Sequence, residues 1–187
     1  MQFYSTRSEQ YRAASAEAVL KGIAPDGGLY TPLDFASMKL DLSSLLGKSA
    51  VEISAAVIGR ILNDFTPEEM RALIEAAYEG KFETAELTPV AKVGDDYVLE
   101  LFRGPTSAFK DVALSVLPRL IVASREKLHV TDEIAILTAT SGDTGKAALE
   151  GFHDVAGTRI VVFYPDGGVS DVQKAQMVTQ EIGRAHV

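Results

Sequence analysis

The stretch Glu133-Ile-Ala-Ile-Leu-Thr-Ala-Thr-Ser-Gly-Asp-Thr-Gly-Lys146 decides the fold. Its first half, Glu133 to Ala139, is a short apolar run of strand length and predicts a buried strand. Thr140 to Gly145 then sets two glycines among small hydroxyl residues, which ends the strand and lets a backbone approach something closely. Lys146 to His153 has helical character, and Arg159 to Tyr164 is a second apolar strand. Ser170 opens another helix with Gln173 at the capping-box position. Strand, helix, strand and helix in that order predict a right-handed parallel crossover, so the fold class is α/β.

Towards the N-terminus, Val90 to Val93 and Tyr97 to Phe102 flank Gly94-Asp95-Asp96 and read as a hairpin. A long helix is expected from about Ala108 to Lys127, kinked at Pro118. Thr66 caps the helix Thr66 to Tyr78, with Pro67 at its first position and Glu69 completing a capping box. Met70, Leu73, Ile74 and Ala77 form its buried stripe. Lys48 to Leu62 and Ser15 to Lys21 also read as helical, with a short strand at Phe3 to Thr6 and a turn at Asp26-Gly27-Gly28. Residues 1–82 therefore read as a mainly helical first domain. Residues 83–180 read as the start of a parallel-sheet domain, with 181–187 as a tail.

The formal net charge of −8 argues against nucleic acid, whose phosphates select for Lys and Arg. It argues against an anionic membrane surface on the same ground, while leaving an anionic small substrate open. No cysteine is present, which removes disulfides and zinc-thiolate sites and suits a cytoplasmic protein. His129, His153 and His186 stand apart in sequence, so no metal site is expected. No apolar run approaches the ~20 residues of a membrane helix.

Two segments carry chemistry. In Gly104-Pro-Thr-Ser-Ala-Phe-Lys110-Asp111, Ser107 is placed to cap the following helix, which puts Lys110 in its first turn. A free lysine has a pKa near ~10.4 and is a poor nucleophile at neutral pH. Apolar burial between Phe109 and Val112, with the positive end of the helix dipole, would favour the neutral amine that a Schiff base needs. A surface lysine on an amphipathic helix is the other reading of this spacing. The second segment, Thr140 to Gly145, offers helix N-terminal N–H groups to a carboxylate or phosphate. A plain helix cap fits it equally. It is not a nucleotide-triphosphate loop: that pattern needs Gly at 140 and a hydroxyl at 147, and the chain has Thr140 and Ala147.

Taken together, Gly-Pro-Thr-x-x-Phe-Lys-Asp followed about thirty residues later by Thr-Ser-Gly-Asp-Thr-Gly resembles threonine synthase. Tyr4-Ser5-Thr6-Arg7, the Gly27-Gly28-Leu29-Tyr30-Thr31-Pro32 turn, Phe163-Tyr164-Pro165 and Gln173 to Gln180 are similar to that family as well. The resemblance implies a fold type II enzyme dependent on pyridoxal 5'-phosphate. It implies conversion of O-phospho-L-homoserine and water to L-threonine and phosphate, with Lys110 as both the Schiff-base lysine and the base that takes the Cα proton. Thr140, Ser141, Gly142, Asp143 and Thr144 match the loop that faces the substrate carboxylate and the cofactor's 3′ oxygen. Related enzymes carry Asn where Asp143 stands, so Asp143 is either protonated or directed elsewhere. Arg7 and Arg103 are candidates for the substrate phosphate, with solvated surface positions as the alternative.

The family's chains are more than twice this length, and its glycine-rich phosphate cup would lie beyond residue 180. Glu181-Ile-Gly-Arg-Ala-His-Val187 leaves the family pattern abruptly. Written as GAG ATC GGA AGA GCA CAC GTC it resembles a sequencing adapter, so His186 is expected to have no role. The competing readings are another enzyme of the same fold, such as a dehydratase or a sulfhydrylase, a threonine-synthase-like phospholyase acting on a related phosphorylated amine, and a fragment without turnover.

Overall fold

Strand β1 (Gln2–Ser5) is the middle of a three-stranded antiparallel sheet. It pairs with β2 (Arg12–Ala14), Phe3 opposite Ala13, and with β3 (Tyr30–Pro32), Tyr4 opposite Thr31. The computed structural model describes residues 2–140 and 142–180 and divides into two units. The first holds residues 2–76 and Arg119–Thr131, the second Ala77–Pro118 and 132–180.

In the first unit the sheet is followed by α1 (Ser15–Lys21), whose Ala16 N–H donates to the Asp64 carboxylate at 2.9 Å in place of a side-chain cap. Helix α2 (Ala50–Ile61) starts with a Ser49–Glu52 capping box. Helix α3 (Pro67–Tyr78) starts with the expected one, Thr66 and Glu69 exchanging side-chain and backbone bonds. Met70, Ile74 and Ala77 are buried along one face of α3, while Leu73 is half-buried at its edge. Four- and three-residue spacing aligns those buried positions on a 3.6-residue helix.

The second unit opens with the hairpin β4 (Val90–Val93) and β5 (Asp96–Leu99), joined by Gly94-Asp95 with Gly94 at φ 62°. Strand β5 ends at Leu99 instead of Phe102: the pairing carries one step further, Glu100 N–H donating to the Pro89 carbonyl at 2.9 Å, and Leu101 and Phe102 then turn away. Helix α4 (Asp111–Lys127) starts three residues later than its sequence suggests. Ser107 stands at φ 57° and its N–H bonds the Gly104 carbonyl, so the approach to α4 is a tight non-helical loop and Ser107 lies four residues ahead of the helix instead of at its cap. Helix α4 runs through Pro118 as one element.

Strands β6 (Ile134–Ala139) and β7 (Thr158–Phe163) pair in parallel, from Ile134 opposite Thr158 to Ala139 opposite Phe163. This is the expected α/β arrangement, and α5 (Asp143–Phe152) is the crossover helix. Ala147, Ala148, Leu149 and Phe152 of α5 are buried. The two strands are not the fully buried pair their apolar runs suggest. Exposure alternates along both, and Leu137, Val161 and Phe163 share an open face. Helix α6 (Asp171–Val178) packs on α5 and carries the expected Ser170–Gln173 capping box.

Candidate active site

Lys110 sits one residue before α4, at its N-cap. Its carbonyl accepts from Ala113 and Leu114, closing the first helical turn. The residue is half-buried, and its ammonium lies 4.4 Å from the centroid of the Phe109 ring. That ring is 60% exposed, so the apolar burial expected around Lys110 is not what surrounds it. No ion pair to a carboxylate engages Lys110 among the described residues.

The glycine loop leads from β6 into α5. Thr140 N–H donates to the Phe163 carbonyl at 2.9 Å, which ties the loop to the end of β7. The Thr140 hydroxyl accepts from Gly142 N–H at 3.1 Å and so turns back on its own loop. Gly142 is the N-cap of α5, and no side chain caps that helix. A side chain at Gly142 would collide with Gln173, and one at Gly145 would meet Thr140, Val162 and Met177. Both glycines are therefore required by close approach. Helix α5 starts at Asp143, not Lys146, since glycine can take the cap position and an acidic first residue complements the helix dipole. Asp143 is exposed and accepts from the Gln173 amide at 3.3 Å. Thr144 is half-buried beside it. Ser141 lies outside the described residues.

The two arginine candidates are both engaged. Arg103 pairs with Glu83 at 2.7 Å and Glu100 at 2.7 Å, and its guanidinium lies 5.0 Å from the Phe102 ring centroid. The hydrogen bonds it donates to Glu83 and then to Glu100 push its pKa above the usual arginine value. A phosphate at Arg103 would have to compete with two carboxylates. Arg7 belongs to the first unit, where its guanidinium donates to the Asp26 carbonyl at 3.0 Å. Around it, the Ser5 hydroxyl donates to Asp26 at 2.7 Å, and Leu29 N–H donates to the Thr6 hydroxyl at 3.0 Å. The Ser5 bond leads the causes that hold the Asp26 carboxyl below the usual range. Ser5-Thr6-Arg7 and Asp26-Gly27-Gly28 thus form one bonded network.

Two features escaped the sequence reading. Buried Asp111 accepts both from the Thr106 N–H and from its hydroxyl, at 2.8 and 2.5 Å. Gln173 serves two helices, capping α6 through its oxygen and Asp143 through its nitrogen. The only advance sign was the placing of polar residues inside the two motifs. A cavity of about 390 Å³ lies in the first unit, between Phe65, Leu73, Ala123 and Lys127, and no site candidate lines it.

Residues 2–78 match the family described as the threonine synthase N terminus. The chain is 32% identical to threonine synthase of Methylobacillus glycogenes over 188 residues, 95% of this chain and 39% of that protein. It is 36% identical over 173 residues to Threonine synthase-like 1 of Homo sapiens, 87% of this chain and 23% of that protein. A crystal structure of PLP-bound threonine synthase from Brucella melitensis superposes with a TM-score of 0.81 at 37% identity, covering 95% of this chain and 38% of that one. The chain belongs to the threonine synthase family. It spans well under half the length of the threonine synthases it matches. The family match takes in the Ser5–Asp26 network. Both chemistry-bearing segments fall within the span that aligns to the longer threonine synthases. No helix is long and apolar enough to cross a membrane among the described residues.

Proposed function

We propose that the chain forms one wall of a threonine synthase site. There, pyridoxal 5'-phosphate would be carried on Lys110, and O-phospho-L-homoserine with water would give L-threonine and phosphate. The observation that carries this reading is Lys110 itself, an amine with no carboxylate partner among the described residues, at the head of α4 and inside a motif that resembles this family's. The residues present fit the cofactor in part. The N-terminus of α5 lacks a side-chain cap, which suits an anionic group at its backbone N–H groups.

When bound, the cofactor supplies an electron sink for charge developing at the substrate carbons. Lys110 Nζ would hold it, and as a free amine the same nitrogen would accept the proton from the substrate Cα. The α5 N–H groups orient the substrate carboxylate, and Thr144 and Asp143 flank them. Arg103 and Arg7 are retained as proposed phosphate contacts only if their present partners yield. A domain boundary near residue 82, a cytoplasmic site of action and a small-molecule substrate belong to this proposal. The 36% identity to Threonine synthase-like 1 keeps open a relative of threonine synthase with another substrate, and a phospholyase acting on a related phosphorylated amine is the second reading.

Phosphate release tests the proposal, in a protein that continues this chain to the length of its relatives. Release from O-phospho-L-homoserine should far exceed threonine deamination. Faster release from another phosphorylated amine would select the second reading, and faster deamination would discard both.

A further inference from the structure

We propose that Asp111 is a positioning residue for Lys110, acting with Thr106 and Gly104 as a latch on the loop that presents the amine. The proposal rests on the reading of Lys110 as the cofactor lysine. Asp111 is 2% exposed, and a buried carboxylate is costly unless hydrogen bonds replace its water. Both of its oxygens are satisfied by one residue five positions back, Oδ2 by Thr106 N–H and Oδ1 by the Thr106 hydroxyl. Gly104 closes the other side. A Cβ there would stand 2.6 Å from Asp111 Cβ and 2.9 Å from its Cγ. Ser107 is held in the left-handed region at φ 57°, a conformation that a non-glycine residue keeps only when its surroundings impose it.

The consequence falls on Lys110. Its carbonyl is fixed from the C-terminal side by Ala113 and Leu114. Its N-terminal side is fixed because the loop returns to Asp111, whose N–H also bonds the Ala108 carbonyl at 3.0 Å. The Lys110 backbone is therefore clamped between a helix and a latch, leaving the side-chain torsions as its freedom. Reactive groups perform best when neighbouring hydrogen bonds fix the backbone that carries them. This role explains why Gly104, Thr106 and Asp111 accompany Lys110 in one motif.

The test compares Thr106→Val, Thr106→Ser, Asp111→Asn and Lys110→Ala in the full-length protein that carries this chain. Readouts are the visible absorption of the lysine–cofactor linkage, borohydride trapping mapped to Lys110, kcat and KM for phosphate release, and melting of the apoprotein. Thr106→Val keeps the side-chain shape and should fold. We expect it, like Asp111→Asn, to lower kcat and slow trapping at Lys110 by about tenfold or more with KM little changed. Thr106→Ser should restore both. An unchanged trapping rate and kcat in folded Thr106→Val would overturn the latch, as would failure of Thr106→Ser to rescue. Retention of the trapped linkage in Lys110→Ala would instead overturn the reading of Lys110 itself.

Discussion

Gly151 on α5 lies against the Leu114 carbonyl of α4, with no room for a Cβ between them. Leu114 is the carbonyl that Pro118 leaves without a helical donor, because residue i bonds residue i−4 and proline has no N–H. The proline and the glycine thus answer each other: one frees a carbonyl, and the other lets a helix come close enough to meet it through Cα–H. That contact joins the helix that starts beside Lys110 to the helix that follows Gly142.

Gly151→Ala is the direct consequence. In an ordinary helix the change would gain up to about 1 kcal/mol. Here the added methyl meets backbone, so a net loss of about 1–3 kcal/mol is expected. Urea unfolding decides the sign, and a stabilised variant would contradict the contact.

Gln173→Ala should loosen two places together. It removes the Gln173 half of the α6 capping box, leaving the Ser170 cap, and the donor to Asp143. Half a box costs less than the ~1 kcal/mol of a lost N-cap, so amides in the first turn of α6 should exchange measurably faster. Exchange around Asp143 should rise with them. If only α6 responds, the link to the glycine loop carries nothing.

Acid should weaken the Ser5–Asp26 network. The folded pKa of Asp26 lies below its ordinary value of 3.8, with the Ser5 hydrogen bond as the leading cause. The group therefore adds stability above the unfolded pKa and loses it as pH falls through the lower folded value. Asp41, Glu52 and Glu69 are lowered in the same sense by Ser43, Ser49 and Thr66. Ser5→Ala should flatten the decline in melting temperature below about pH 4. A decline as steep as wild type would remove Asp26 from the account.

Much of this architecture was legible in the sequence, and the reason is local. The Thr66–Glu69 and Ser170–Gln173 capping boxes are three-residue patterns, and the order of β6, α5, β7 and α6 follows from apolar runs and glycines. The start of α4 was misread because propensity cannot see a carboxylate accepting from a residue five positions back. Strand β2 is three residues long and exists through pairing with β1, so no pattern inside it announces a strand, whereas Leu29-Tyr30-Thr31 is β-prone and foreshadows β3. At the site, Lys110 and the glycine loop were visible as motifs. The engagement of Asp143 by Gln173, thirty residues away, and of Arg103 by Glu83, twenty away, was not.

The open face of the parallel pair predicts how the 187-residue chain behaves alone. Leu137 is 69% exposed, Val161 45% and Phe163 59%, side by side on two strands. A contiguous apolar patch of this kind promotes association. The chain should bind a hydrophobic dye and self-associate, and Leu137→Lys should reduce both with little change in melting temperature. Equal association by the variant would place the cause elsewhere.

Lys110 carries the central claim, and reductive trapping followed by peptide mass analysis tests it most directly. Full-length protein is mixed with pyridoxal 5'-phosphate and borohydride, and the modified residue is located. The account predicts a single dominant adduct on Lys110, lost in Lys110→Ala together with phosphate release from O-phospho-L-homoserine. An adduct on another lysine, or trapping and turnover that survive in Lys110→Ala, would contradict it.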